Sequence, residues 1–266
     1  MKLTMLGTGN ALVTECYNAC FALTEGKDSF LIDTGGGNGI LNRLKKADID
    51  LENVRDIFIT HKHIDHFLGI VWIVRMIGKM TGEGKWKGEY RFYAHEEVME
   101  LLKGIAAALL QEKDAACLGH QIRLITLKDG QEEKILGRRV VFFDTHSTKA
   151  KQFGFTMYLN GTERFTCCGD ELFNETEERY ARKSKWLLHE AFCLDREKER
   201  FHPYKSCHST VKDACLAGEE LGVENLVLYH TEDKNLARRK RLYMEEGRMY
   251  FSGNLYIPDD LEELEL

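Results

Sequence analysis

The residues best equipped for chemistry in this chain stand together at Thr60-His61-Lys62-His63-Ile64-Asp65-His66, directly after the apolar run Ile57-Phe58-Ile59. Three imidazoles and one carboxylate at the end of a buried strand are costly to place there unless they bind something. Alternate residues of an extended segment face one side, so His61 and His63 can grip one ion together. Asp65 and His66 fall where the chain turns into the next apolar segment, and can face a second ion. This donor set suits two divalent cations, with zinc the expected occupant and manganese or iron as alternatives.

The elements that must position these residues read as follows. Strands are expected over 3–6, 19–23 and 29–33, the last two joined by a turn at Glu25-Gly26-Lys27-Asp28. The loop Thr34-Gly35-Gly36-Gly37 lacks the lysine of a phosphate-binding P-loop and is expected to turn close beneath the metal site. A helix over 40–47 precedes the strand at 54–60, and a mostly apolar helix follows His66. A short strand at 91–94 and a long helix at 96–113 come next, the latter with Val98, Leu101, Leu102, Ile105, Leu109 and Leu110 on its core face. Strands at 122–127 and 138–143 are placed around Asp129-Gly130. Strands at 153–159 and 164–168 form a hairpin across Asn160-Gly161. Later come a strand at 186–189, a capped helix at 209–221, a strand at 226–229 and a charged helix at 235–246. Several of these strands stop on a potential ligand: His146, Asp170, Glu190 and His230. Five such ends, counting His61 and its neighbours, imply a common site.

Composition narrows the classes. The 266 residues and 43% hydrophobic content allow a sizeable core, and the absence of repeats or low-complexity linkers favours a single domain over 1–266. A net charge of −6 gives no global attraction to nucleic acid, so a phosphate-bearing partner must be held locally. Lys149, Lys151 and the run Arg238-Arg239-Lys240-Arg241 could do so, although a charge run at helical spacing is more often a solvated face. Eight cysteines without a CxxC pair read as buried thiols of a reducing cytoplasm, and no apolar run is long enough for a membrane span. The glycine-rich loop at 82–88, with Trp86, Lys85 and Lys87 and the nearby Lys79, is a candidate lid, with an ordinary solvated loop as the alternative.

The chain resembles the metallo-β-lactamase superfamily, and more narrowly its RNase Z and phosphodiesterase branch. The similarity is carried in order by Leu6-Gly7-Thr8-Gly9, Leu31-Ile32-Asp33-Thr34-Gly35, His61 to His66 with Gly69-Ile70, Thr145-His146-Ser147, Phe153-Gly154-Phe155, Gly169-Asp170, His189-Glu190-Ala191, His208-Ser209-Thr210 with Asp213-Ala214, and Tyr229-His230. The resemblance implies an α/β fold, a four-layer αββα sandwich with a dinuclear site at one edge. It implies that His61, His63 and His146 hold one ion, that Asp65, His66 and His230 hold the other, and that Asp170 bridges them. Two close cations activate a shared water near neutral pH. Asp65 would orient that water and accept its proton. His208, held in the right tautomer by Glu190, would protonate the leaving alkoxide or stabilise its developing charge.

Three features set the chain apart from RNase Z. The arm that grips tRNA, carried between the residues matching His146 and Asp170, has no room here because the 153–168 hairpin takes most of that stretch. Phe192 stands where the family usually has threonine after HEA, and Glu171 where threonine commonly follows GD. Cys168, two residues before Asp170, is expected to pack rather than to ligate. The function expected is a dinuclear metal-dependent hydrolase, a phosphodiesterase acting on a small-molecule or nucleic-acid phosphodiester, with no membrane partner. A homodimer is allowed, since the sequence does not set the oligomeric state. Hydrolysis of a lactone, thioester or β-lactam on the same site is the alternative. A non-catalytic metal-binding module is the third reading.

Overall fold

The computed structural model describes residues 1–85 and 88–266. The candidate lid at 82–88 therefore has its Trp86 and Lys87 outside the described residues. Two compact units emerge, one of residues 1–7, 18–127 and 261–266, the other of 8–17 and 128–260. The chain passes between them four times, so neither unit is continuous in sequence.

The first unit is built on a seven-stranded sheet. Its strands are β1 (Lys2–Gly7), β2 (Cys20–Glu25), β3 (Asp28–Ile32), β4 (Val54–Phe58), β5 (Tyr90–Ala94) and β6 (Ile122–Thr126), with the C-terminal β14 (Glu263–Glu265) on the edge beside β1. Strands joined by tight turns pair antiparallel, as β2 and β3 do. From β3 to β6 each strand follows a helical crossover and pairs parallel. The crossover helices are α1 (Gly39–Lys46), α2 (Ile64–Phe67) with α3 (Gly69–Gly82), and α4 (Glu96–Leu109) with α5 (Glu112–Ala115). Strand residues Phe21, Phe30, Ile57 and Phe58 and helix residues Ile70, Ile73 and Val74 are buried. Each such side chain contributes about 1.5–3 kcal/mol by leaving water.

The expected long helix at 96–113 stops early. Leu110 adopts extended backbone (φ −95°, ψ 153°), and the buried face of α4 is Val98, Met99, Leu102 and Ala106, with Leu109 exposed. Acidic β14 was unexpected as a strand. It pairs with β1 through backbone hydrogen bonds and the Lys2–Glu263 ion pair (2.8 Å).

The second unit repeats the scheme with β7 (Gln131–Ile135), β8 (Arg138–Asp144), β9 (Phe153–Asn160), β10 (Glu163–Cys167), β11 (Trp186–Glu190), β12 (Asn225–Tyr229) and β13 (Asn254–Tyr256), in that spatial order. Strands β7 to β10 are antiparallel hairpins, and β10 to β13 are parallel. The helices are α6 (Glu178–Ala181), α7 (Lys198–Phe201), α8 (Val211–Leu221) and α9 (Arg239–Gly247). The pairing expected around Asp129-Gly130 is corrected: β6 and β8 belong to different sheets, and the partner of β8 is β7 across a turn at Leu136-Gly137. Helix α8 begins with a reciprocal capping box between Thr210 and Asp213, as its sequence invites. Its Val211, Ala214, Cys215 and Leu221 pack with Leu187, Leu226, Leu228 and Tyr243. Cys168 lies in the same apolar cluster, in keeping with a packing role, and burial pushes its thiol well up. All eight cysteines are free thiols. No helix among the described residues is long and apolar enough to cross a membrane.

Candidate metal centre

In both units the candidate ligands follow the carboxyl ends of strands, the usual place for a site in sheets with parallel strands. In the first unit, β4 ends at Phe58 and the chain runs extended to His63, which starts the single turn of α2 carrying Asp65 and His66. The glycine loop lies beneath it as expected. Thr34 donates from its N–H (2.9 Å) and Oγ1 (3.0 Å) to the carbonyl of His66, and Gly69 N–H donates to the carbonyl of Gly35 (2.9 Å). Any side chain at Gly69 would place its Cβ 2.0 Å from the Thr34 carbonyl, so only glycine permits this approach.

Asp33 is the residue that sequence reasoning left without a role. Its carboxylate accepts from Thr60 N–H (2.8 Å) and Thr60 Oγ1 (2.8 Å), and stands 2.7 Å from Nδ1 of His66. Thr60 Oγ1 in turn lies 2.9 Å from Nδ1 of His61. One buried carboxylate thus engages, directly or through a hydroxyl, the Nδ1 side of two rings, directing Nε2 of each to the ligand side. His61 Nε2 and His63 Nδ1 are 2.8 Å apart, and His66 Nε2 is 3.3 Å from Asp65 Oδ2. Neutral nitrogens and carboxylate oxygens converging at this spacing suit a divalent cation. The signal for Asp33 was present in Leu31-Ile32-Asp33-Thr34-Gly35, an acid closing a buried strand.

In the second unit, Asp170, His208 and His230 bring one ligand atom each within 4.8 Å of one another. Asp170 is buried, and its Oδ2 lies 3.5 Å from His230 Nε2 and 3.6 Å from Lys149 Nζ. Its Oδ1 accepts from the buried Gln152 side-chain amide, and its carbonyl accepts from Lys149 Nζ (2.7 Å). Lys149, a candidate phosphate contact, is therefore turned to Asp170. Glu190, fully buried, accepts from Ser209 N–H on Oε1 and presents Oε2 3.6 Å from Nδ1 of His208. Burial pushes the Glu190 carboxyl up, but the facing His208 and the charges of His208, His230 and His189 outweigh it, and the net direction is down. A carboxylate favoured in its ionised form, facing Nδ1 at 3.6 Å, favours a proton on that nitrogen.

His146 follows β8 on a left-handed residue (φ 55°), its N–H donating to Asp144 Oδ1 (2.8 Å). Its side chain is exposed, and among the described residues it is not part of the group that joins Asp170, His208 and His230. Asp33 and His230 share the left-handed backbone (φ 55° and 56°). For non-glycine residues this conformation costs about 1–3 kcal/mol, and it recurs where side chains must be re-aimed at a strand end.

The charge run after His230 is corrected in part. Arg239 is completely buried and donates to Thr8 Oγ1 (3.0 Å), Thr231 Oγ1 (2.8 Å), the Pro258 carbonyl (2.7 Å) and Asp259 Oδ1 (2.9 Å). It is neither a solvated charge nor a phosphate contact, but a tie that holds the strand end next to His230. Replacing it by methionine, which keeps most of the volume, is expected to lower stability by about 3 kcal/mol in chemical denaturation, because several acceptors lose a charged donor.

A family model described as "Anti-Pycsar protein Apyc1" matches residues 1–253. The chain belongs to this family. This Apyc1-family chain is also similar to Ribonuclease Z of Thermococcus sibiricus (25% identical, covering 100% of this chain and 96% of the relative). Ribonuclease Z of Archaeoglobus fulgidus is 24% identical, with 100% and 97% covered. Among solved structures, the metallo-β-lactamase fold protein YhfI from Bacillus subtilis superposes with a TM-score of 0.78 at 16% identity, covering 99% of each chain. Human tRNase Z, short form, gives 0.76 at 19% identity over 100% and 99%. A diphosphatase from the PhnP family gives 0.74 at 17% identity over 100% and 97%. The fold of this Apyc1-family chain is therefore the metallo-β-lactamase fold expected from its sequence.

Proposed function

We propose that the chain is a metal-dependent hydrolase of the phosphodiesterase type, acting as one domain over residues 1–266 on small phosphodiesters. The observation that carries this reading is His208, which belongs to the same ligand group as Asp170 and His230 and is faced by the buried Glu190 at 3.6 Å. Hydrolysis of a phosphodiester expels an alkoxide that needs a proton, and a histidine backed by a buried carboxylate is suited to deliver it. Thioester or β-lactam hydrolysis on this scaffold does not need the pair. The named relatives, Ribonuclease Z and tRNase Z, support the phosphodiester class.

The assignment of ligands follows the resemblance: His61, His63 and His146 for one ion, Asp65, His66 and His230 for the other, and Asp170 shared. Zinc is the proposed metal for both positions, since imidazole and carboxylate donors suit it. Divalent ions bound there would activate water and polarise the phosphoryl oxygen. The chain's own residues do the rest. Asp33 and Thr60 orient the His66 and His61 rings, Asp65 accepts a proton from the attacking water, and His208, acting as an imidazolium whose Nδ1–H faces Glu190, donates its Nε2 proton to the leaving oxygen and is left neutral. The free thiols support a reducing, cytoplasmic setting.

Precursor tRNA is not the proposed substrate. Between His146 and Asp170 lie only a short loop and the β9–β10 hairpin. The alignment with the T. sibiricus enzyme spans 313 positions against 266 residues here, so that relative carries segments this chain lacks. The test is a panel on zinc-loaded protein. Turnover of bis(p-nitrophenyl) phosphate should exceed that of lactone and thioester substrates by about 100-fold, with no maturation of precursor tRNA. Faster hydrolysis of a lactone or thioester would overturn the assignment.

A further inference from the structure

Phe192, the residue standing where the wider family usually has threonine, has a defined place beside His208. The two rings stack with centroids 5.2 Å apart and planes at 19°, and Phe201 meets Phe192 edge-on at 6.1 Å and 85°. The backbone of Phe192 is fixed from three sides. Its N–H donates to the Ser209 carbonyl (2.9 Å), and its carbonyl accepts from Glu232 N–H (2.8 Å) and Tyr243 Oη (3.1 Å).

These rings line a cavity of about 300 Å³ together with His208, Leu12 and Val13. The loop bearing Leu12 is anchored at both ends: Leu12 N–H donates to Asn10 Oδ1 (2.9 Å), and the N–H groups of Thr14 (2.6 Å) and Glu15 (3.1 Å) donate to Asp233 Oδ2. Burial works to raise the Asp233 carboxyl, but Lys234 and these two N–H groups hold it down at about 2. Leu12 itself remains 86% exposed. Leu12 thus stands on a loop whose backbone is tied at both ends, and shares the cavity lining with the two aromatic rings and His208.

The charges at the rim do not ask for a charged ligand. Lys234 pairs with Asp233 (2.8 Å), and Glu232 accepts from the Asn235 side-chain amide (2.9 Å) and backbone N–H (3.1 Å). What remains is a largely apolar corner at the lower size limit of small-molecule sites, with His208 in its lining. We propose that this cavity is a specificity pocket for a planar aromatic substituent of the phosphodiester, with Leu12, Phe192 and Phe201 as its walls. The proposal rests on the phosphodiesterase reading above.

The test uses zinc-loaded full-length protein with bis(p-nitrophenyl) phosphate as reporter, and compares inhibition by phenyl phosphate and methyl phosphate. Both share the phosphoryl group, so the ratio of their inhibition constants reads the pocket alone. Phenyl phosphate should bind roughly tenfold more tightly. The ratio should fall at least about threefold in Phe201→Ala or in Leu12→Ala, with methyl phosphate unchanged. Leu12 is exposed enough that its truncation leaves the fold intact, so this variant remains readable if Phe201→Ala does not fold. Equal inhibition by the two phosphates in the parent protein, or an unaltered ratio in both variants, would overturn the pocket. Failure to hydrolyse the reporter at all would instead count against the phosphodiesterase reading.

Discussion

Asp170→Ala protein should purify with less than one metal ion per chain and should lose at least about 10³-fold in phosphodiester turnover. The side chain is buried; the Gln152 amide donates to Oδ1, and Lys149 Nζ and His230 Nε2 lie 3.6 Å and 3.5 Å from Oδ2. Its backbone has little freedom to compensate. Gly169 sits at φ 87°, and a Cβ there would come 2.6 Å from Gln152 Oε1. Truncation therefore removes the one carboxylate of the Asp170–His208–His230 group found among the described residues. Asp170→Asn separates charge from shape. It should keep the fold and the Gln152 contact region while still losing metal, because a neutral amide no longer offsets two cations. A fully metal-loaded Asp170→Ala protein would sink the bridging assignment.

The second large effect is expected at His208. His208→Ala should retain its metal and lose about 10²–10⁴-fold in kcat, the usual range for a missing general acid. The loss should depend on the leaving group. A p-nitrophenoxide leaves readily without a proton, whereas an alkoxide, as in a dinucleoside phosphate, does not, so the alkoxide substrate should suffer more. In the proposed mechanism Glu190 acts through His208, as a positioning residue. Glu190→Gln should follow the same leaving-group pattern with a smaller loss and an unchanged KM. Equal losses on both substrates would remove the proton-donor role and leave charge stabilisation alone.

The strand-end placement of the candidate site residues could be read from the sequence. His61 to His66, His146, Asp170, Glu190 and His230 each follow a β-favouring run, and the structure puts each there. What supports them was harder to see. Asp33 looked like any acid before a glycine loop, since nothing local to Leu31-Ile32-Asp33 says that Thr60 and His66 will converge on it. Arg239 sat in a run of four basic residues, three of which are not fully buried, and a pattern of charges cannot reveal that one points inward to Thr8 and Thr231.

Strand β7 carries one buried apolar residue, Ile135, and β14 has none, so neither gives the alternation that marks a strand. Both form because an edge of an existing sheet offers backbone partners. The two compact units were invisible for a related reason. The first unit takes its last strand from the C-terminus, so no linker separates the units in sequence. Phe192 was noticed only as a departure from the family pattern, and its stacking on His208 gives that departure a physical meaning.

The most direct test of the central claim is a count of metal per chain. Protein stripped with a chelator and titrated with zinc, with bound metal measured by elemental analysis and turnover of bis(p-nitrophenyl) phosphate followed in parallel, should bind two ions per chain and regain activity as the second is filled. Saturation clearly below one ion per chain, or turnover indifferent to metal, would contradict the account.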